Sequence, residues 1–185
     1  MSRKSKNRPL KEKVAIFVEG PTEKNYLVQI KQDYNFSNAS IIKVFSGQGD
    51  YVDKAESKCK ELSKKYSLKN KVLFFDTNHK NQDEINSLLK KAEDKKYQVA
   101  FSNTCFGVWL LGHFEPMTQS LISEKNLINK LNGHLKKPYE KANANQLALI
   151  ASNFNNAIEN TSSIVSYSYE FQSTNVGEII KKLIL

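Results

Sequence analysis

The sequence predicts an α/β fold: a mostly parallel four-stranded sheet with helices on both faces and a helical C-terminal third. Three features carry that prediction. Short apolar runs alternate with helix-periodic stretches of roughly 12 to 16 residues, the rhythm of βα units. The runs Val14-Ala15-Ile16-Phe17-Val18 and Val72-Leu73-Phe74-Phe75 are continuous rather than alternating, which marks strands buried on both faces. Each of these two runs also ends in an acid, Glu19 and Asp76, where open α/β sheets present side chains to the ligand crevice.

Taken in order, Val14 to Val18 is the first strand, followed by the Gly20-Pro21 turn. Thr22 is placed to cap a helix running to Asp33, with Tyr26, Leu27 and Ile30 on its inner face. Ile41 to Phe45 reads as the second strand, ending in the flexible Ser46-Gly47-Gln48-Gly49. The next helix carries Val52, Ala55, Cys59, Leu62 and Tyr66 on one stripe and lysines on the solvated face. After the third strand, Asn81 and Glu84 are spaced as a capping box, and Ile85, Leu88, Leu89 and Ala92 form the stripe of a third helix. Tyr97 to Phe101 is the fourth strand. Residues 102–115 hold the only tryptophan, and Trp109, Leu110 and Phe114 are assigned to the core. From Gln119 the pattern is helical, through Leu121, Ile122, Leu127, Ile128 and Leu131, then Leu147, Ile150, Phe154 and Ile158, and last Val176, Ile179, Ile180 and Leu183. Strand order is not readable.

At 185 residues the chain is long enough to bury a substantial core. It divides into a basic flexible tail, 1–13, and a single domain, 14–185, with the sheet core at 14–115 and the helical part at 116–185. No run is long enough to span a membrane and the N-terminus lacks the apolar core of a signal peptide, so a cytoplasmic protein without membrane partners is expected. Cys59 and Cys105 form no CxxC pair, so neither a disulfide framework nor a zinc knuckle is supported and both are read as small buried side chains. The net charge is +9, and the first 13 residues hold six cations against Glu12, a net +5 that leaves +4 for the rest. Such a tail either holds a polyanion such as nucleic acid through its phosphates or serves as a solubilising end.

Two acids at two strand tips suit a divalent cation, because Mg²⁺ or Mn²⁺ takes a few hard oxygen ligands and keeps waters for phosphate chemistry. The expected ligands are Glu19, Asp76 and the amide oxygen of Asn78, and Glu23, one helical turn after Glu19, adds a ligand or orients one. Glu19 and Glu23 are the acid/base candidates, and Lys24 is a candidate contact for nucleic acid. No Walker or dinucleotide loop is present, which argues against nucleotide-triphosphate and NAD chemistry. His79, three residues past Asp76, sits well for a reaction, although loop histidines are commonly plain surface; His134 reads as surface.

Several collinear blocks resemble one family: Val18-Glu19-Gly20-x-Thr22-Glu23-x-x-Tyr26, the strand ending at Asp76, Ser102-Asn103-x-Cys105-Phe106-x-x-Trp109-Leu110-Leu111-x-His113-Phe114, Tyr139-x-Lys141, and Ser173-Thr174-x-Val176. Together they are similar to the RloB-like, or AbiLii-type abortive-infection, proteins that belong with Toprim-containing proteins. The resemblance implies a Toprim-like fold, a Mg²⁺-dependent nuclease centre in which the strand-tip acids hold the metal, and a role in bacterial anti-phage defence, often beside an ATPase partner. It also brings His113 forward as a catalytic residue, against the alternative of a hydrogen-bonded core histidine, and Tyr139 and Lys141 as phosphate contacts, against packing and solvation. Two positions depart from the family pattern: Asn78 stands where a second aspartate is common, and Gly107 stands where Glu is usual. Each loses a carboxylate that a hard dication would use, with Glu23 or Asp83 as the nearby substitutes.

The leading expectation is therefore a metal-dependent nuclease that hydrolyses phosphodiesters in DNA or RNA. The alternatives are a noncatalytic nucleic-acid- or partner-binding module on a degenerate Toprim scaffold, and a subunit active only with an ATPase. Whether the chain forms a homo-oligomer is left open.

Overall fold

In the computed structural model, which describes residues 9–34, 40–45, 50–78 and 80–184, the sheet is built outward from its first strand. Strand β1 (Lys11–Val18) pairs in parallel with β2 (Ser40–Val44) on one side and with β3 (Tyr66–Asp76) on the other. Parallel β4 (Gln98–Asn103) continues beyond β3, and the two-residue β5 (Ser173–Thr174) ends the sheet antiparallel to β4. The order is thus β2-β1-β3-β4-β5.

Helix α1 (Pro21–Asp33) carries the chain from β1 to β2 in one direction, whereas α2 (Tyr51–Ser63) and α3 (Gln82–Asp94) carry it to β3 and β4 in the other. Right-handed crossovers then put α1 on one face and α2 and α3 on the opposite face. Packing agrees with that. Ile16, Val18, Val72 and Phe74 join Tyr26, Leu27 and Ile30 of α1, while Ala15, Phe17 and Leu73 join Val52, Ala55 and Leu62 of α2 and Ala92 of α3. Two buried faces explain why β1 and β3 read as unbroken apolar runs. The reversal of direction falls between β1 and β3, and this is where open α/β sheets form their ligand crevice.

The last third adds α4 (Gly107–Gly112), α5 (Glu124–Leu135), α6 (Ala144–Ala151), α7 (Phe154–Asn160), one 3-10 turn (Ser162–Ile164) and α8 (Val176–Ile184). Their apolar residues, Trp109, Leu131, Ile150 and Ile180 among them, merge with the α1 face into one core. Among the described residues no helix is long and apolar enough to cross a membrane.

Several sequence expectations are corrected. The sheet has five strands rather than four, because Ser173–Thr174 pairs with Asn103 and Ser102 inside a stretch read as helical. So short a strand carries no periodic signal. Tyr66 opens β3 instead of closing α2, and Lys11 to Lys13 pair with Tyr66 to Leu68, so part of the segment read as tail is strand. Residues 1–8 of that tail and the Ser46–Gly49 loop lie outside the described residues. Gly20, not Thr22, is the N-cap of α1, with Pro21 in the first turn. Leu121 is exposed ahead of α5, whose cap is Ser123. The Asn81–Glu84 capping box is present as read.

The short β5 is reinforced by a side chain. Asn175 accepts from the Phe101 backbone N–H (2.9 Å) and donates to the Val99 carbonyl (2.9 Å), taking the place of a further strand residue against β4. Asn175→Ala strands both groups of β4, so it is expected to lower unfolding free energy by about 1–3 kcal/mol in a urea titration. A change under a few tenths would mean that water replaces the amide.

Candidate functional site

Three carboxylates meet at the C-terminal edge of β1 and β3. Glu19 follows the last residue of β1, and Asp76 is the last residue of β3, its neighbour in the sheet. Glu23 comes from the first turn of α1 and is turned back over that turn. Gly20 permits the fold-back, because a Cβ there would come within 2.9 Å of Glu23 Oε2. That oxygen is buried without a hydrogen-bond partner.

Electrostatics follow from this crowding. Burial raises the pKa of the Asp76 carboxyl well above the usual carboxylate range, and Glu23 and then Glu19 push it further. The Phe106 backbone N–H and the Lys80 ammonium pull it part of the way back. Glu23 is likewise raised, first by burial and then by Glu19, against the backbone N–H groups of its own residue and Gly20.

The loop after Asp76 is pinned to the end of β4. Thr77 N donates to the Ser102 carbonyl (3.1 Å), Asn78 N to the Thr104 carbonyl (3.1 Å), and the Thr77 hydroxyl to Asn103 Oδ1 (2.5 Å). Asn103 is itself buried and donates through Nδ2 to the Phe171 carbonyl (2.6 Å), tying the segment before β5 to the same edge. Beside the acids opens a crevice of about 250 Å³, lined by Glu23, Asp76, Asn78, Gly107, Tyr139 and Lys141 among others. The structure thus gathers five sequence-chosen residues around one cavity, Glu23, Asp76, Asn78, Tyr139 and Lys141, while Glu19 is not among its lining residues and meets Glu23 and Asp76 beside it.

Tyr139 is held by its backbone N–H on Asn132 Oδ1 (2.6 Å), and burial, followed by Glu23, pushes its phenol up to about 12. Lys141 pairs at the crevice mouth with Glu124 (2.9 Å), both side chains largely solvated. Lys24 is exposed on α1 and does not line the crevice. Of the two acids offered as substitutes for the missing carboxylates, Glu23 faces the crevice and Asp83 is exposed on α3. Among the described residues, no three His, Cys, Asp or Glu side chains form a ready-made metal cluster.

His113 is removed from the site. It is 1% exposed, its Nδ1 meets the Trp109 carbonyl at 3.0 Å, and its Nε2 meets the Tyr26 hydroxyl at 2.9 Å. A carbonyl only accepts, so the proton lies on Nδ1 and Tyr26 donates to Nε2. Burial lowers its pKa to about 4, leaving a neutral core imidazole. His79 lies outside the described residues. His134 is on the surface, where it pairs with Glu115 (2.8 Å) and stacks on half-buried Phe114. Cys105, read as buried, is only half-buried and lines the crevice.

Two participants were missed by sequence reasoning, Lys80 and Glu124. Lys80 Nζ donates to the Asp76 backbone carbonyl (2.8 Å) and to Glu19 Oε1 (3.3 Å). Its position four residues after a strand-tip acid was the available signal, hidden among 28 cationic residues.

The departure at Gly107 has a steric counterpart. A Cβ there would lie 2.5 Å from Leu127 Cδ2 and 3.3 Å from Cys105 Sγ, so α5 fills the space that a longer side chain would enter.

A family model described as RloB-like protein matches residues 14–183. Neither the curated proteins nor the solved structures yield a match.

Two of the perturbed groups have signed consequences for stability. Asp76 has a folded pKa above its unfolded one, so the folded state holds that proton more tightly and stability is lost as pH rises through the folded value. Asp76→Asn is therefore expected to raise the melting temperature at pH 7 and to bring little gain at pH 3; a fall at pH 7 contradicts the crowding. His113 has the opposite sign. With a folded pKa near 4 against the ordinary 6.5, protonation favours the unfolded chain, and stability drains as pH falls across that window. His113→Gln is expected to flatten the stability profile between pH 6.5 and 4, as read by denaturant midpoints.

Proposed function

We propose that this chain, which belongs to the RloB-like family, is a divalent-cation-dependent, Toprim-type nuclease that hydrolyses nucleic-acid phosphodiesters in bacterial defence. The observation that carries the reading is the placement of Glu19 and Asp76 on adjacent strands at the point where the sheet reverses direction, with Glu23 pressed against them. The donors fit a hard dication. They are oxygen atoms, their negative charges repel one another, and Glu23 Oε2 is buried without a partner. Glu19, Asp76 and the Asn78 amide oxygen are the residues that would hold Mg²⁺ or Mn²⁺. When bound, such an ion supplies Lewis-acid charge to a phosphate and a more acidic water.

The chain's own groups divide the remaining work. Glu19, partly solvated, is the acid/base candidate. Lys141 and the Tyr139 hydroxyl line the same crevice as Glu23 and Asp76, where a phosphate oxygen would find donors. Lys24, solvated on α1 outside the crevice, is a further candidate contact for the nucleic-acid backbone.

One observation favours a second reading, a binding module without turnover. Leu127 occupies the space beside Gly107, so the crevice wall offers no carboxylate there and Asn78 contributes a neutral oxygen. A cleavage assay on single- and double-stranded DNA and RNA, with and without Mn²⁺, separates the two. Nuclease function predicts metal-dependent products that fall about 100-fold or more in Glu19→Gln and in Asp76→Asn, with nucleic-acid binding retained. Full activity in both variants rejects the site, whereas tight binding with no products on any substrate leaves the module.

A further inference from the structure

Resting on the reading of the strand-tip acids as a dication site, Lys80 acquires a role that its surroundings define. Its backbone N–H donates to the Thr77 carbonyl (3.1 Å), and the loop that carries it is pinned to β4 through Thr77 and Asn78. Helix α3 begins two residues later behind the Asn81 capping box. The stem is therefore rooted at both ends, and the ammonium is delivered to one place. There it sits on a carboxylate oxygen of Glu19 and on the main-chain oxygen of Asp76, side chains about a quarter to a third exposed. These are hard oxygen donors, the kind that a Mg²⁺ or Mn²⁺ ion seeks. The lysine that lines the adjoining crevice, Lys141, is committed to Glu124.

A dication bound to Glu19 would lie beside the Lys80 ammonium, and like charges at that range repel strongly where water is partly excluded. The two cannot share Glu19 without cost. We propose that Lys80 is a built-in competitor for the divalent cation: its ammonium occupies Glu19 in the metal-free protein and must leave that carboxylate for the metal to bind. The protein thereby keeps its acids partly neutralised when no metal is present and sets a threshold metal concentration for activity.

The experiment is Mn²⁺ titration by calorimetry of the full chain, comparing wild type with Lys80→Met, Lys80→Arg and the double variant Lys80→Met/Asp76→Asn. Met keeps the aliphatic stem and removes the charge, and Lys80→Gln replaces it should that protein not fold. Lys80→Met is expected to bind Mn²⁺ about fivefold more tightly than wild type. Lys80→Arg stays at the wild-type value, and the double variant loses the gain. Equal or weaker affinity in Lys80→Met overturns the proposal, as does absence of Mn²⁺ binding in both proteins. Tighter binding without cleavage of any nucleic acid leaves the role of Lys80 standing and rejects the nuclease reading. Metal-dependent cleavage with unaltered Mn²⁺ affinity in Lys80→Met does the reverse.

Discussion

The parallel pairing of β1 with β3 brings two carboxylates together at a place where neither backbone nor solvent can neutralise them fully. Val14 to Phe17 lie against Asn70 to Leu73 and are covered on both faces, so neither strand can slide without exposing apolar side chains. Once that register is set, Glu19 and Asp76 emerge side by side. Glu23 is added because α1 starts immediately, its first turn admitting a folded-back carboxylate over a glycine. The rest of the site answers this concentration of negative charge, through the Phe106 N–H, the Lys80 ammonium and the crevice mouth at Lys141.

Such a cluster works against folding. A carboxyl held above its normal pKa is more comfortable protonated, and a buried oxygen without a partner bears a desolvation penalty. The surrounding core has to offset this, and its construction shows how. Trp109, Tyr26, Phe106 and His113 form an edge-to-face aromatic group behind the acids, and the imidazole is satisfied on both nitrogens. His113 thus supports the position of α1, and through it Glu23, without touching the crevice.

Much of the architecture was legible because local and global signals coincide. Continuous apolar runs gave β1 and β3, stripes at helical spacing gave α1 to α3, and the Asn81–Glu84 pair marked a helix start that the structure contains. What escaped depends on partners distant in sequence. The strand at Ser173–Thr174 exists through pairing with β4, seventy residues earlier, and two residues cannot announce a period. Tyr66 has the spacing of an α2 residue but joins β3, because Lys11 offers it a strand partner. At the site, the acids were visible as strand tips. Lys80 was not, since a lysine in a loop says nothing until its ammonium is seen on Glu19. For His113 the ring's neighbours decide, and one of them, the Tyr26 hydroxyl, comes from an element 87 residues away.

The same dependence on distant partners explains why Gly107 belongs to the fold as much as to the site. Helix α4 is only six residues long and is held by what packs on it, with Leu127 of α5 filling the space over Gly107. A carboxylate at this position would face Asp76 and Glu23 across a small crevice, adding a further like charge to groups already raised by one another. Packing α5 against a bare backbone removes that repulsion and contributes apolar contact in its place. The crevice is therefore lined by Asp76 of β3 and Glu23 of α1, by Glu124, Leu127 and Ile128 of α5, and by Tyr139 and Lys141. The position of α5 over Gly107 thus sets how much of the crevice is apolar and keeps a further carboxylate away from Asp76 and Glu23.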